Sequence, residues 1–488
     1  MTSGPPFRMV HMRIDEYAEF DGVGLAGLIR SNQISAAEVQ AVSRTAIESL
    51  QPQLNAVVDG PWQQPLKYNA NGPFAGVPFV LKDILLHAAG VPTHCGSRLF
   101  GTGMVHDHDT ELMRRFREAG LAAMATTRTP EFGLSAGTEP VLGGATRNPW
   151  DISRTPGGSS GGTAALVAAG AVPLGHANDG GGSIRIPASF TGLVGLKPSR
   201  GRIPIGPDLQ EAMYGLATEL AITRTVRDTA AMLDAVSGFA SGEKFTMLAP
   251  GQSFASQVGA EPGRLRIAVQ PDSWTGHATD PGVVAAVRRT AETLSDLGHH
   301  VEFACPTVEW DQFSEALTTT WAAGAATAVY PAADALGVEV DENLLELSTL
   351  RLAEMGRGVT AIELAGMVAA FNAVSRAMGT FFDQWDLWLT ATTSVPAPPI
   401  GHFNADVDVT PAEWVRRCVE LFPYLAVLNV TGTPAISLPA GLVDGLPIGI
   451  QLAAPMAGEA TLIRVAAQLE QVAGWADLRP AGWVGNGN

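Results

Sequence analysis

The sequence predicts an α/β fold built around a mostly parallel sheet. Helical patterns with capping residues alternate with short apolar runs of strand length, and strand-length runs return near the C-terminus after a long helical stretch. The balance of the chain agrees: 46% apolar and only 16% charged residues over 488 positions can fill a thick core. A chain that ends by returning to the sheet reads as one large domain, 1–488, carrying insertions.

The elements follow in order. Ser35-Ala36-Ala37-Glu38 is a capping-box pattern, and Val39, Val42, Ala46 and Leu50 follow at helical spacing. Residues 76–81 form a short apolar run that reads as a buried strand ending at Lys82-Asp83. Asp109 caps a helix whose inner face carries Leu112, Met113 and Phe116, and 121–125 is the next strand. Between 155 and 204 Gly and Ser dominate and charge nearly disappears. Residues 241–262 read as a polar surface excursion. Strands at 265–269 and 301–304 flank a helix at 280–297, and 307–385 is mainly helical. Runs at 387–389, 434–438 and 448–452 restore the strand pattern before a closing helix at 459–472.

Composition excludes several function classes. A formal net charge of −17 repels phosphates, so neither nucleic acid nor an anionic membrane surface is an expected partner. The most apolar stretch, 163–174, is too short to span a bilayer and is broken by Gly170 and Pro173. Residues 1–21 lack the apolar core of a signal peptide, and the three cysteines, Cys95, Cys305 and Cys418, form no CxxC pair. A reducing cytoplasm is the expected compartment, with no metal and no cofactor.

The chemistry gathers in the Gly/Ser-rich region. Gly157-Gly158-Ser159-Ser160-Gly161-Gly162 and Gly180-Gly181-Gly182-Ser183-Ile184-Arg185 each set a serine among residues without Cβ atoms. Backbone N–H groups in such runs can converge on an oxyanion, so Ser183, after three glycines, is the natural nucleophile. A serine needs a base. The ten histidines single out none near either cluster. Lys82 ends an apolar run, where desolvation lowers a lysine pKa, so a neutral Lys82 can act directly or through a second hydroxyl. Taken singly, glycine pairs are mostly turns and a lysine after a strand is mostly solvated; the combination carries the reading.

Three longer segments sharpen it: 155–163 (TPGGSSGGT), 179–187 (DGGGSIRIP) and 192–198 (GLVGLKP). Together with 76–83 (GVPFVLKD), 429–437 (NVTGTPAIS) and 445–451 (GLPIGIQ), they resemble the amidase signature family of serine hydrolases. Within it, 145–150, 176–179 and 201–204 look most like 6-aminohexanoate-cyclic-dimer hydrolases. The resemblance implies a large mixed central sheet covered by helices on both faces. About 70–205 would be the signature core, about 241–420 a variable helical insertion and about 421–488 the return to the sheet. It implies a Ser183 nucleophile, a bridging Ser159 held by a cis peptide bond, and a Lys82 base. Gly180, Gly181 and Gly182 would supply the oxyanion hole with the Ser183 N–H. Asp179, Arg185 and Ser160 would order the loop, while Gly133 and Ser135 would wall the substrate. Asn178-Asp179-Gly180 departs from the common Thr-Asp-Thr pattern and leaves more room beside Ser183.

The implied activity is cleavage of small linear or cyclic amides through an acyl-enzyme, by a monomer or homodimer. Carbamate or aryl-ester hydrolysis is the alternative, and an amidotransferase subunit a lesser one. Gly157 to Gly161 also fits G-x-S-x-G, but the segment before it is a poor strand and His402 is the only late histidine. The glycine loops lack the G-x-x-x-x-G-K-[ST] of a phosphate loop. His176, Trp150 and Trp388 read as packed neighbours rather than substrate contacts. Trp321, Leu350 and Phe371 either line a pocket or fill the core.

Overall fold

A computed structural model describes residues 12–486. Residues 1–11 of the 1–21 segment expected to lack a signal-peptide core lie outside that range. Three helices lead in, α1 (Ile14–Glu19), α2 (Gly22–Arg30) and α3 (Ala36–Leu54). The Ser35 hydroxyl accepts the Glu38 N–H and starts α3, which buries Val39, Ala46 and Leu50. The Glu38 carboxylate also holds the Met12 N–H.

Strands β1 (Val57–Asp59) and β2 (Pro78–Lys82) follow, then a small pair, β3 (Pro92–Thr93) and β4 (Met104–Val105). Helix α4 (Glu111–Ala119) buries Leu112, Met113 and Phe116 as the spacing predicts. Its cap is Thr110, not Asp109: the Thr110 hydroxyl accepts the Met113 N–H. Asp109 instead accepts the Ala89 N–H and pairs with Arg117 at 2.6 Å. A cap must reach the N2 or N3 N–H, and the residue beside the first turn does so. Strand β5 (Ala122–Thr127) lies between β1 and β2 in a three-stranded sheet.

The second sheet contains β6 (Leu174–Asp179), β7 (Val194–Lys197), β8 (Thr218–Thr223), β9 (Arg266–Gln270), β10 (His300–Phe303), β11 (Leu387–Ala391), β12 (Ala435–Val443) and β13 (Leu446–Ala453). Their order is β10-β9-β11-β13-β12-β7-β8-β6. Helices α5 (Gly161–Ala168), α6 (Arg185–Thr191), α7 (Val226–Val236) and α8 (Pro281–Asp296) lie among these strands in sequence. The helical stretch resolves into α9 (Trp310–Leu336), α10 (Leu347–Gly358) and α11 (Ala361–Gln384), followed by α12 (Pro411–Val419), α13 (Leu425–Thr431) and α14 (Glu459–Ala473). Helices α6, α7, α8 and α14 pack on the eight-stranded sheet.

The sheet is mixed rather than mostly parallel. Only the β10–β9 and β9–β11 pairs run parallel, and the other five are antiparallel. One reason is local. Asp444 and Gly445 join β12 to β13 with φ of 49° and 79°, the left-handed pair of a tight two-residue hairpin. Such a turn can only return the chain antiparallel to itself.

Among the described residues no single helix is long and apolar enough to cross a membrane; α10 and α11 pass that test only as a pair bent by 107°.

Candidate active site

Strand β2 runs against β6 and delivers Lys82 to the end of the large sheet. The Lys82 N–H donates to His176 Nδ1 at 3.2 Å, which fixes the register between them. The His176 ring proton therefore sits on Nε2, facing Glu219 Oε1 at 3.2 Å. His176 is fully buried, the packed neighbour expected from the sequence.

The Lys82 side chain is 1% exposed. Its Nζ lies 2.6 Å from Ser159 Oγ and donates to Asn178 Oδ1, also at 2.6 Å. Burial pushes the amine down to about 7, against the opposing pull of Asp179 and Glu219. An amide oxygen only accepts, so Asn178 takes one N–H, and a neutral amine can then turn either its second N–H or its lone pair to Ser159. The Asn178 amide is itself held by the Ile84 carbonyl at 3.1 Å.

Ser159 precedes α5, and its peptide bond to Gly158 is cis. No strand leads directly into this serine, so the strand–turn–helix elbow of the G-x-S-x-G reading is not formed. Ser160 is buried and its hydroxyl donates to the Asn178 carbonyl at 3.3 Å, tying the two serine loops together. Gly133 lies beside Ser159: a Cβ built on it would stand 3.4 Å from Ser159 Oγ and 3.5 Å from Ile84 Cδ1.

The second loop wraps around Asp179. This buried carboxylate receives the Gly182 N–H at 2.7 Å, the Ile184 N–H at 3.2 Å and two N–H groups of Arg185 at 2.9 Å. Burial alone would raise its pKa, but the Arg185 guanidinium wins and holds it well below the usual carboxylate range. Arg185, itself fully buried, also donates to Asn429 Oδ1, Gln451 Oε1 and the Leu425 carbonyl. Asn429 Nδ2 returns to the Asp179 carboxylate at 2.9 Å. Gly182 has φ +135°, and a Cβ there would stand 2.6 Å from Leu425 Cδ1, so only glycine fits.

Two of the residues named from the sequence have a polar group bonded elsewhere in the fold. The Gly182 N–H donates to Asp179 Oδ1 at 2.7 Å; a buried carboxylate collects the donors nearest it. Gly180, Gly181 and Ser183 remain on the half-buried side of the loop. Ser135 is 4% exposed, and its hydroxyl donates to the Phe403 carbonyl at 3.1 Å, so it braces a loop and offers no free hydroxyl to a substrate.

The surroundings of Ser183 come from distant segments. A Cβ at Gly180 would meet Met213 Sδ at 2.8 Å, and one at Gly181 would stand 3.6 Å from Trp321 Cζ2 on α9. Leu350 and Trp388 are core residues, while Phe371 packs against Phe313. Trp150 donates to the Thr191 carbonyl. The sequence reading missed the roles of Asn178, Asn429 and Gln451. The first was legible as the departure from the Thr-Asp pattern; the others bond Arg185 across more than 240 residues and left no local signal.

Comparison with known proteins agrees with this geometry. The Amidase family model matches residues 39–463. A 6-aminohexanoate-cyclic-dimer hydrolase of Paenarthrobacter ureafaciens is 35% identical, covering 94% of this chain and 96% of its own length. Another of that name from Pseudomonas sp. (strain NK87) is 35% identical with the same coverage. The solved structure of a 6-aminohexanoate cyclic dimer hydrolase superposes with a TM-score of 0.89 at 34% identity, over 95% of this chain and 99% of that one. With a family model and relatives spanning nearly its whole length, the chain belongs to the amidase family and is an enzyme that hydrolyses amide C–N bonds.

Proposed function

We propose that the enzyme cleaves small linear or cyclic carboxylic amides through an acyl-enzyme on Ser183, with Ser159 as proton bridge and Lys82 as base. The observation that carries this reading is the 2.6 Å contact between Ser159 Oγ and a buried Lys82 whose pKa lies near 7. Neutral Lys82 takes the Ser159 proton as Ser159 takes that of Ser183. Ser183 Oγ then bonds to the carbonyl carbon. The oxyanion is met by backbone N–H groups of Gly180, Gly181 and Ser183, each such donor contributing about 3 kcal/mol where one has been removed in other hydrolases. The relay returns its proton to the leaving nitrogen, the C–N bond breaks, and water releases the acyl group along the reverse path.

The likeness to cyclic-dimer hydrolases supports small amides as substrates, and Met213 and Trp321 beside the glycine loop support a compact, apolar pocket. Buried apolar residues that run continuously from Tyr17 to Trp475 support reading the chain as one domain.

The test is hydrolysis of a panel of p-nitroanilide, linear amide, cyclic amide, carbamate and ester substrates by wild type, Ser183→Ala and Lys82→Ala. Ser183→Ala is expected to lose at least ~1,000-fold in kcat. Lys82→Ala should lose ~100-fold or more on amides and less on esters, whose leaving group needs no proton. A Ser183→Ala variant that keeps half its rate removes the mechanism; a wild type that prefers carbamates keeps it and moves the substrate class.

A further inference from the structure

Away from Ser183, the chain between β2 and α4 meets the chain between β7 and β8. The first supplies His87 and His108, the second Asp208. His87 Nε2 lies 3.5 Å from Asp208 Oδ2, and His108 Nε2 lies 3.0 Å from Asp208 Oδ1. One ligand atom from each of the three residues falls within 4.8 Å of the others. The His87 side chain is 5% exposed, and its Nε2 points at Asp208 without a hydrogen-bond partner. A buried ring nitrogen left unpaired is costly unless something else takes its lone pair or proton.

We propose that His87, His108 and Asp208 bind a divalent transition-metal cation of the zinc type. Three features fit. Two imidazoles and one carboxylate are the ligand chemistry such cations accept. In a tetrahedron with bonds of ~2.05 Å the ligand atoms stand ~3.3 Å apart. Here the two rings reach different oxygens of Asp208, at 3.5 and 3.0 Å, and one ligand atom from each residue lies within 4.8 Å of the others, so a small shift brings one carboxylate oxygen and both rings onto a cation. The ring orientations are also set in advance. Asp107 Oδ1 lies 2.8 Å from His108 Nδ1, the carboxylate–imidazole arrangement that puts the proton on Nδ1 and frees Nε2 for a cation. His106 stacks on His87 with ring centroids 3.6 Å apart and planes at 10°, and Thr110 donates to the His87 carbonyl.

Such a cation would staple the β7–β8 segment to the segment that begins at Lys82. The Glu111 N–H already donates to the Gly206 carbonyl at 2.9 Å beside the site, and Met213, against Gly180, lies farther along the same segment. Three ligands leave one position for water.

The experiment titrates the chelator-stripped full chain with Zn2+ by calorimetry and thermal melting. The expected result is one equivalent bound and a raised Tm. Binding should weaken at least ~100-fold in His108→Ala and Asp208→Ala, and ~10-fold in Asp107→Asn, whose carboxylate only orients a ring. His300→Ala, at the β10 edge, should bind as wild type. His108 and Asp208 are each more than 40% exposed, so their variants should fold, which retained amide hydrolysis checks. Should either fail to fold, Asp107→Asn decides. Absence of stoichiometric binding by wild type, or unchanged affinity in these variants, overturns the site.

Discussion

Lys82 has two close polar neighbours on its amine, and they decide what the residue can do. Asn178 Oδ1 must receive an N–H, while Ser159 Oγ can give or receive one. Burial favours the neutral amine, which can turn its lone pair to Ser159 as pH passes about 7. On the proposed mechanism the base is inactive when protonated, so kcat/KM should rise with pH through about 7 and then level off. A pH–rate profile of wild type on an amide checks this. An acid limb near 10, the range of a solvated lysine, would show that Lys82 is not the desolvated base described here.

The elements matter because the loop of the proposed nucleophile does not hold itself. Strand β6 ends in Asp179, α6 begins with Arg185, and their pair is locked from α13 by Asn429 and from β13 by Gln451. Arg185→Leu would leave Asp179 charged and buried without its cation, a loss of about 3–5 kcal/mol. Urea denaturation measures this, and a variant within 1 kcal/mol of wild type would show that the loop is not anchored by the pair. Much of this was visible in the sequence as residues but not as contacts. The Gly/Ser segments marked the two serine loops, yet nothing local tied Asn429 or Gln451 to Arg185. The hairpin of β12 and β13 is the opposite case. Asp444-Gly445 between apolar runs is a local turn signal that the sequence reading missed, and it would have argued against a mostly parallel sheet.

At the scale of the whole molecule, the helical stretch is anchored on the loop that carries Gly133. Glu346, just before α10, donates its backbone N–H to Glu131 Oε2 at 2.8 Å, and Ser97 bonds the other Glu131 oxygen. Burial raises both carboxyls well above the usual range, and Glu131 raises Glu346 further. A raised folded-state pKa means that the folded protein binds more protons than the unfolded chain, so this pair's contribution falls as pH rises. Glu346→Gln removes one of the two titrations. Its Tm relative to wild type should therefore increase between about pH 5 and 8, and a difference independent of pH would show that the pair does not titrate in folding.

The sequence by itself determined the proposed catalytic inventory. Lys82, Ser159 and Ser183 stand in segments whose glycine content and apolar flanks are local properties, and local chemistry can be read without a fold. It also determined most strands and helices, because periodicity and caps act over a few residues. Only the tertiary structure decided what each group faces. It gave the Gly182 N–H to Asp179 and the Ser135 hydroxyl to Phe403, set Trp321 over Gly181, and brought Asp208 to His87 and His108. These contacts join segments from 3 to more than 250 residues apart, and their geometry is set by how sheets and helices pack rather than by neighbouring letters.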